Sequence, residues 1–250
     1  MQPSTTPDLA DAVPVTLTSC VARVSDILAC VFRALEGWRD QIAAAGPVRE
    51  AELDALVERL VVPALGDAPP AADTAPGTLM IGAGFIAAPG FVTGREANFA
   101  WWLGALAGTP RLGTTSAPSR LDLDARVNTE FLRDFRELEW YQVPETTNRT
   151  HVTGPYVDLL CTFDYVITLT IPVRFQSVML GVVGADVYVK SLEQVLRPLF
   201  LALEYPVALV NEAGRVVVST EPTLPPATCC RTGGIRWTTT TGCRAPARRS

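Results

Sequence analysis

The sequence is poor in the residues that most often carry chemistry. It has one histidine, His151, and its only lysine is Lys190. With a single histidine, a zinc site would have to draw on cysteine and carboxylate. None of the six cysteines (Cys20, Cys30, Cys161, Cys229, Cys230, Cys243) forms a C-x-x-C pair, so neither a metal nor a disulfide framework is expected. No cofactor is expected either. There is no G-x-S-x-G elbow, and no cysteine has the basic or helix-N-terminal setting that lowers a thiol pKa.

Positive charge is also scarce. Lysine and arginine total 21 against 26 acidic residues, a net charge of −5 with a pI near 5.0, which excludes nucleic acid as a partner. The first residues, MQPSTTPDLADAVP, hold no basic residue and no apolar stretch that would make a secretory leader. No run of about 18 apolar residues is present to span a membrane. These absences lead to the expectation of a stand-alone cytoplasmic chain with no membrane insertion. The near-lack of lysine fits a GC-rich bacterial genome better than any function.

What remains is a globular composition, 48% hydrophobic and 19% charged. Residues 1–14 are polar and Pro-rich and are expected to be disordered. From Thr16 to Ala45 the apolar residues Val21, Val24, Ile27, Leu28, Val31, Leu35, Trp38 and Ile42 recur at spacings of three and four, which predicts a helix of about eight turns. Gly46-Pro47 ends it, and a second amphipathic helix carries Leu53, Leu56, Val57, Leu60 and Val61. The helical unit is thus 15–66, followed by the linker GDAPPAADTAPG.

Residues 78–220 read as the main domain. Thr78–Ala87, Tyr165–Val173 and Val178–Val183 are strand-like, Ser191–Leu203 helical, and PVALVNEAGRVVVST a pair of short strands about Asn211–Gly214. The stretch 221–250, with five arginines and three cysteines, has little periodicity and is expected to be an atypical, disordered tail. Gly82-Ala83-Gly84-Phe85-Ile86-Ala87 matches G-x-G-x-x-A, but Pro89-Gly90 falls where the required helix would run and no acidic residue follows about twenty positions on. Strand glycines are the better reading.

Two carboxylates invite attention. Asp186 ends the apolar run LGVVGAD, where a lone charge is costly unless paired or bound to something. Asp158 follows Pro155-Tyr156 just before another apolar stretch. A structural partner would satisfy either one. Singly, Trp140, Tyr141 and Tyr156 are packing residues. Together with two carboxylates they make a box for an alkylammonium group, with cation–π contacts of about 0.5–2 kcal/mol and charge-assisted hydrogen bonds of about 1.5–3 kcal/mol.

The pieces EWYQVP, VTGPYVD, YVITLTIPV, LGVVGADVYVKSLEQVL and LVNEAGRVVVST, spanning about Trp140 to Thr220, resemble the Cache sensor domains, above all the amino-acid-sensing double Cache type. The long helix and GAGFIAAPG match more loosely. The resemblance implies an α+β, PAS-like antiparallel sheet behind a long N-terminal helix, with a second module that is abbreviated here. It also implies that Trp140, Tyr141, Tyr156, Asp158 and Asp186 hold the ligand, and that residues 142–155 form a loop closing over it. The family's amino-acid motif carries an arginine two residues before the Trp-Tyr pair; Leu138 stands there. A biogenic or quaternary amine is therefore the expected ligand of a non-catalytic sensor. An amino acid gripped by Arg136 or Arg133, or a small hydrolase or lyase using Asp158 and Asp186, are the alternatives. A second apolar flank on the long helix (Cys20, Phe32) suggests a homodimer, with simple packing against the sheet nearly as good a reading. Family members feed a signalling module, and the partner here is not legible.

Overall fold

Leu17–Ala45 forms the long helix α1. Thr16 and Ser19 cap it reciprocally: Ser19 N–H donates to Thr16 Oγ1 at 3.1 Å and Thr16 N–H to Ser19 Oγ at 2.9 Å. Gly46, at φ 68°, ends it. Helix α2 (Glu50–Val61) follows and buries Leu53, Val57 and Val61. The computed structural model describes residues 15–46, 48–65, 79–94, 98–105, 117–121, 135–159, 162–229, 235–238 and 242–244. The expected disordered segment 1–14 and the linker 66–77 lie outside the described residues.

Strands β1 (Met80–Ala87), β2 (Asn98–Leu103) and β3 (Ser119–Arg120) precede a short helix α3 (Glu139–Thr147). Then come β4 (His151–Val157), β5 (Tyr165–Phe175), β6 (Val178–Tyr188) and helix α4 (Val189–Leu201). The six strands form one antiparallel sheet in the order β3-β2-β1-β6-β5-β4. The glycine-rich run is indeed a strand, paired on both edges.

Because side chains alternate along a strand, the sheet has two unlike faces. Ala83, Phe85, Ile167, Leu169, Ile171, Val183 and Val187 point to one side and pack with α1, which contributes Cys20, Val24, Ile27, Val31, Leu35, Trp38 and Ile42. The other side of the central strands presents Gly82, Gly84, Thr168, Thr170, Gly184 and Asp186. Trp101 of β2 lies across this floor: a Cβ added at Gly82 would meet its Nε1 at 2.9 Å. One face is a greasy seat for the helix; the other combines these small and polar residues with a second buried cluster of Ile86, Trp101, Phe135, Tyr141 and Val182.

Beyond α4 a second sheet is built from β7 (Ala208–Val210), β8 (Val216–Ser219), β9 (Ile235–Thr238) and β10 (Gly242–Arg244), ordered β10-β9-β7-β8. Its strands are three or four residues long. The expected disordered tail from 221 is corrected in part: Ile235–Thr238 pairs in parallel with β7 and Gly242–Arg244 pairs with β9. Its isolated β-branched residues lack a period of their own and acquire strand form only beside an existing edge. The proposed dimer flank also changes. Cys20 is fully buried, its thiol directed at the Leu199 carbonyl (3.8 Å), and Phe32 packs partly against the same core.

The glycine floor generates a stability test. A methyl at Gly84 would run into the Ala100 carbonyl of the neighbouring strand, which cannot swing aside as a side chain can. Gly84→Ala is expected to lower stability by about 1–3 kcal/mol, read as a fall in the urea midpoint at unchanged slope.

Candidate functional site

Chain geometry around residues 138–158 differs from the expected closing loop. Glu139–Thr147 is helical and His151–Val157 is a strand, so only residues 148–150 connect them. The helix hides from sequence reading because it buries only Tyr141 and Pro144 and contains that proline. Its last turn is completed by side chains instead: Thr146 Oγ1 donates to Gln142 O at 2.7 Å and Thr147 Oγ1 to Val143 O at 2.6 Å. Asn148 then closes it in the left-handed conformation, φ 54°. Helix and strand are tied together by a 2.9 Å contact between His151 Nε2 and Glu139 Oε1.

Strand β4 is itself bent. Its register against β5 shifts between Thr153 and Tyr156, at the Gly154–Pro155 step. Gly154 sits at φ 104° with the Val166 carbonyl 2.8 Å from where a Cβ would stand, so only glycine suits the position. The irregularity re-aims the side chains beyond it. Tyr156 reaches across to β5, its hydroxyl 2.6 Å from Thr168 Oγ1.

A cavity of about 680 Å³ opens here, lined among others by Leu138, Trp140, Tyr156, Asp158, Phe163 and Arg215. Three of the five expected ligand residues, Trp140, Tyr156 and Asp158, share this lining. Asp158 is held in the turn after β4, accepting from Thr162 N–H at 3.1 Å and Thr162 Oγ1 at 3.2 Å. Asp186 does not line the cavity but stands two hydrogen bonds behind Tyr156: Thr168 Oγ1, bonded to the Tyr156 hydroxyl, donates to Asp186 Oδ1 at 2.6 Å. Tyr141 is further back, fully buried edge-on to Phe135 and Trp140. Its hydroxyl has no hydrogen-bond partner among the described residues.

The electrostatics follow from this layering. Burial pushes the Asp186 carboxyl up to about 8, the negative charge of Asp158 adds to the shift, and the Thr168 hydroxyl opposes it. Burial likewise pushes the Tyr141 phenol up to about 12, leaving it a neutral hydroxyl. A threonine has one proton to give. With Asp186 ionised, Thr168 donates to it and Tyr156 must donate to Thr168, which leaves the phenol oxygen an acceptor. When Asp186 is ionised, the chain Tyr156–Thr168–Asp186 relays its negative character to Tyr156.

Such an arrangement suits a cation. Asp186 lies behind Tyr156, not across the cavity from Asp158, which differs from two carboxylates flanking a scissile bond. Among the described residues no cluster of three or more His, Cys, Asp or Glu side chains could hold a metal ion. Sequence reading passed over Thr168, Trp101, Asn211 and Arg215. Only the first had a signal, a hydroxyl on a strand cross-paired with Asp186.

A pH test isolates Asp186. Its folded value of about 8 lies above the ordinary 3.8, so its contribution to stability is complete below about pH 4 and is lost as pH rises to about 8. Unliganded Asp186→Asn is therefore expected to gain on the wild type across that window, by up to about 1.4 kcal/mol per pH unit. Parallel denaturation curves of the two proteins from pH 4 to 9 measure it; a constant difference would show that Asp186 is ionised throughout.

Comparison with known proteins now bears on the geometry. Residues 119–194, which contain all five expected ligand residues, match the family model "Methyl-accepting chemotaxis protein-like, first PDC sensor domain". No curated protein matches the chain. Among solved structures, the ligand-binding domain of the Pseudomonas aeruginosa PAO1 amino-acid chemoreceptor PctC, in complex with GABA, superposes with a TM-score of 0.53 at 19% identity, covering 84% of this chain and 76% of that one. The ligand-binding domain of PctB from the same organism, with L-Arg, gives 0.51 at 15% identity and coverages of 84% and 70%. That of the Pseudomonas fluorescens chemoreceptor CtaA, with L-serine, gives 0.53 at 17% and coverages of 84% and 72%. These likenesses are of fold. They also correct the cytoplasmic expectation, because chemoreceptor ligand-binding domains of this type are extracytoplasmic. That expectation leaned on a missing leader and a missing membrane-spanning helix, and an absence within one stretch of chain does not locate it. Residues 119–194 are thus similar to a PDC sensor domain, and the fold around them is the one seen in Cache-type chemoreceptor ligand-binding domains.

Proposed function

We propose that the domain senses a small amine-bearing ligand by reversible, non-catalytic capture at the cavity between α3, β4 and the Asp158 turn. The observation that carries this reading is the pairing of a carboxylate on the cavity wall, Asp158, with a second one buried behind Tyr156. Two negative charges so placed repel, and one of them stays protonated until a cation arrives. Ammonium entry compensates both.

Each residue then has a role. Asp158 accepts directly from the ammonium, and Tyr156 offers its oxygen, backed by Thr168 and Asp186. Trp140 contributes a cation–π face of about 0.5–2 kcal/mol. Tyr141 backs the Trp140 ring. A quaternary ammonium has no N–H for these acceptors, so primary amines and amino acids fit the site better than betaines. GABA, L-Arg and L-serine, the molecules bound to the structurally similar domains, all present an ammonium group, which supports the amino-acid version at least as well as the simple amine.

A thermal-shift screen of primary amines, quaternary amines and amino acids tests the reading. A true ligand at a hundred times its dissociation constant adds about 2.7 kcal/mol of stability. Asp158→Asn is expected to weaken binding by about 10–100-fold, and Tyr156→Phe by roughly 5–10-fold, since the ring stays and only the hydroxyl link goes. Should no amine or amino acid raise the melting temperature, the proposal fails; turnover of a stabilising compound would replace it with an enzyme.

A further inference from the structure

The cavity lining carries charge of both signs: Asp158 beside Tyr156, and Arg215 together with Leu138 and Trp140. We infer that Arg215, on the turn between β7 and β8, is a specificity-determining residue that receives the carboxylate of a zwitterionic ligand whose ammonium is held at Asp158. The inference rests on the amine-binding reading and adds the partner for the ligand's other end.

Four observations support it. First, the position expected to carry a carboxylate-gripping arginine holds Leu138, which itself lines the cavity. Second, the other arginines near the site are spoken for or misplaced. Arg174 donates to the Glu145 carbonyl at 2.6 Å and the Ser177 carbonyl at 3.0 Å. Arg136 is not among the residues lining the cavity, and Arg133 lies outside the described residues.

Third, the turn carrying Arg215 is fixed against the ligand strand. Asn211 Nδ2 donates to the Gly154 carbonyl at 2.6 Å, in a buried setting, and Arg215 N–H donates to Asn211 Oδ1 at 2.8 Å. One asparagine thus clasps the kink of β4 and braces the backbone of Arg215 at once. Fourth, the guanidinium has no ion-pair partner among the described residues. Its positive charge helps hold Glu139 below the usual carboxylate range, after the stronger effect of the His151 hydrogen bond. Glu139 is already engaged by His151, so the planar fork of Arg215 is open to a bidentate carboxylate. The cavity of about 680 Å³ falls within the range of about 300–1,000 Å³ typical of small-molecule sites and leaves room for both ends of such a ligand.

Because Arg215 is exposed at the rim, its effect is one of selection, on the order of 10-fold. The test uses three amino acids and their decarboxylated counterparts: L-serine with ethanolamine, 4-aminobutanoate with propylamine, and L-arginine with agmatine. Affinities are measured by calorimetry on the wild type, Arg215→Gln and Arg215→Glu. The wild type is expected to prefer at least one amino acid to its matched amine by about 10-fold. Arg215→Gln is expected to lose that preference while keeping amine affinity, and Arg215→Glu to turn toward 1,4-diaminobutane. A preference that survives Arg215→Gln, or a wild type that binds each pair equally, overturns the role of Arg215 and leaves amine capture standing. A wild type that binds none of the compounds overturns the parent reading instead.

Discussion

A carboxylate in the middle of a six-stranded sheet is the constraint around which this domain is organised. Asp186 sits on β6 with neighbours on both sides, nearly shut off from solvent. It can remain there only as a neutral acid, or as an anion with donors and a counter-charge. The glycines opposite it on β1, the threonines beside it on β5 and the indole of Trp101 exist on the same face, which therefore cannot be packed with aliphatic side chains as the other face is. Helix α1 occupies the aliphatic side, and the opposite side is covered by the cluster of Trp101, Phe135 and Tyr141, the last from α3.

The division of faces also explains why a fold seen in chemoreceptor domains recurs at 15–19% identity. Most of the aliphatic seat can be exchanged residue by residue, provided the volume is kept. The opposite side is less forgiving. Tyr156 must be re-aimed by the kink at Gly154 to meet Thr168, and Thr168 must face Asp186 across the strand pair. These are positional requirements on single side chains, and they fall within the segment 119–194 that the family model recognises.

Much of this was legible in the sequence. The spacing of Val24, Ile27, Val31, Leu35, Trp38 and Ile42 announced α1 and its buried stripe, and the strand character of YVITLTIPV and LGVVGADV announced the central hairpin. The aromatic and acidic residues of the cavity came from family resemblance, and their periodicity was silent. What escaped was governed by contacts distant in the chain. Helix α3 ends through threonine side chains that mimic a loop composition. Strands β9 and β10 form only against β7. Asn211 and Arg215 approach Gly154 and Trp140 because α4 returns the chain past the sheet, and no local pattern encodes that return.

The contact between His151 and Glu139 closes the corner between α3 and β4. It joins the first residue of β4 to the first residue of α3, across a connection limited to residues 148–150. Trp140 and Tyr156 thus stand on the two arms of one short corner, and the span between their rings depends on how that corner is held. A guest entering between the two rings meets a width set by that corner. The Asn211–Arg215 turn closes the same corner from the other side, through the hydrogen bond from Asn211 Nδ2 to the Gly154 carbonyl.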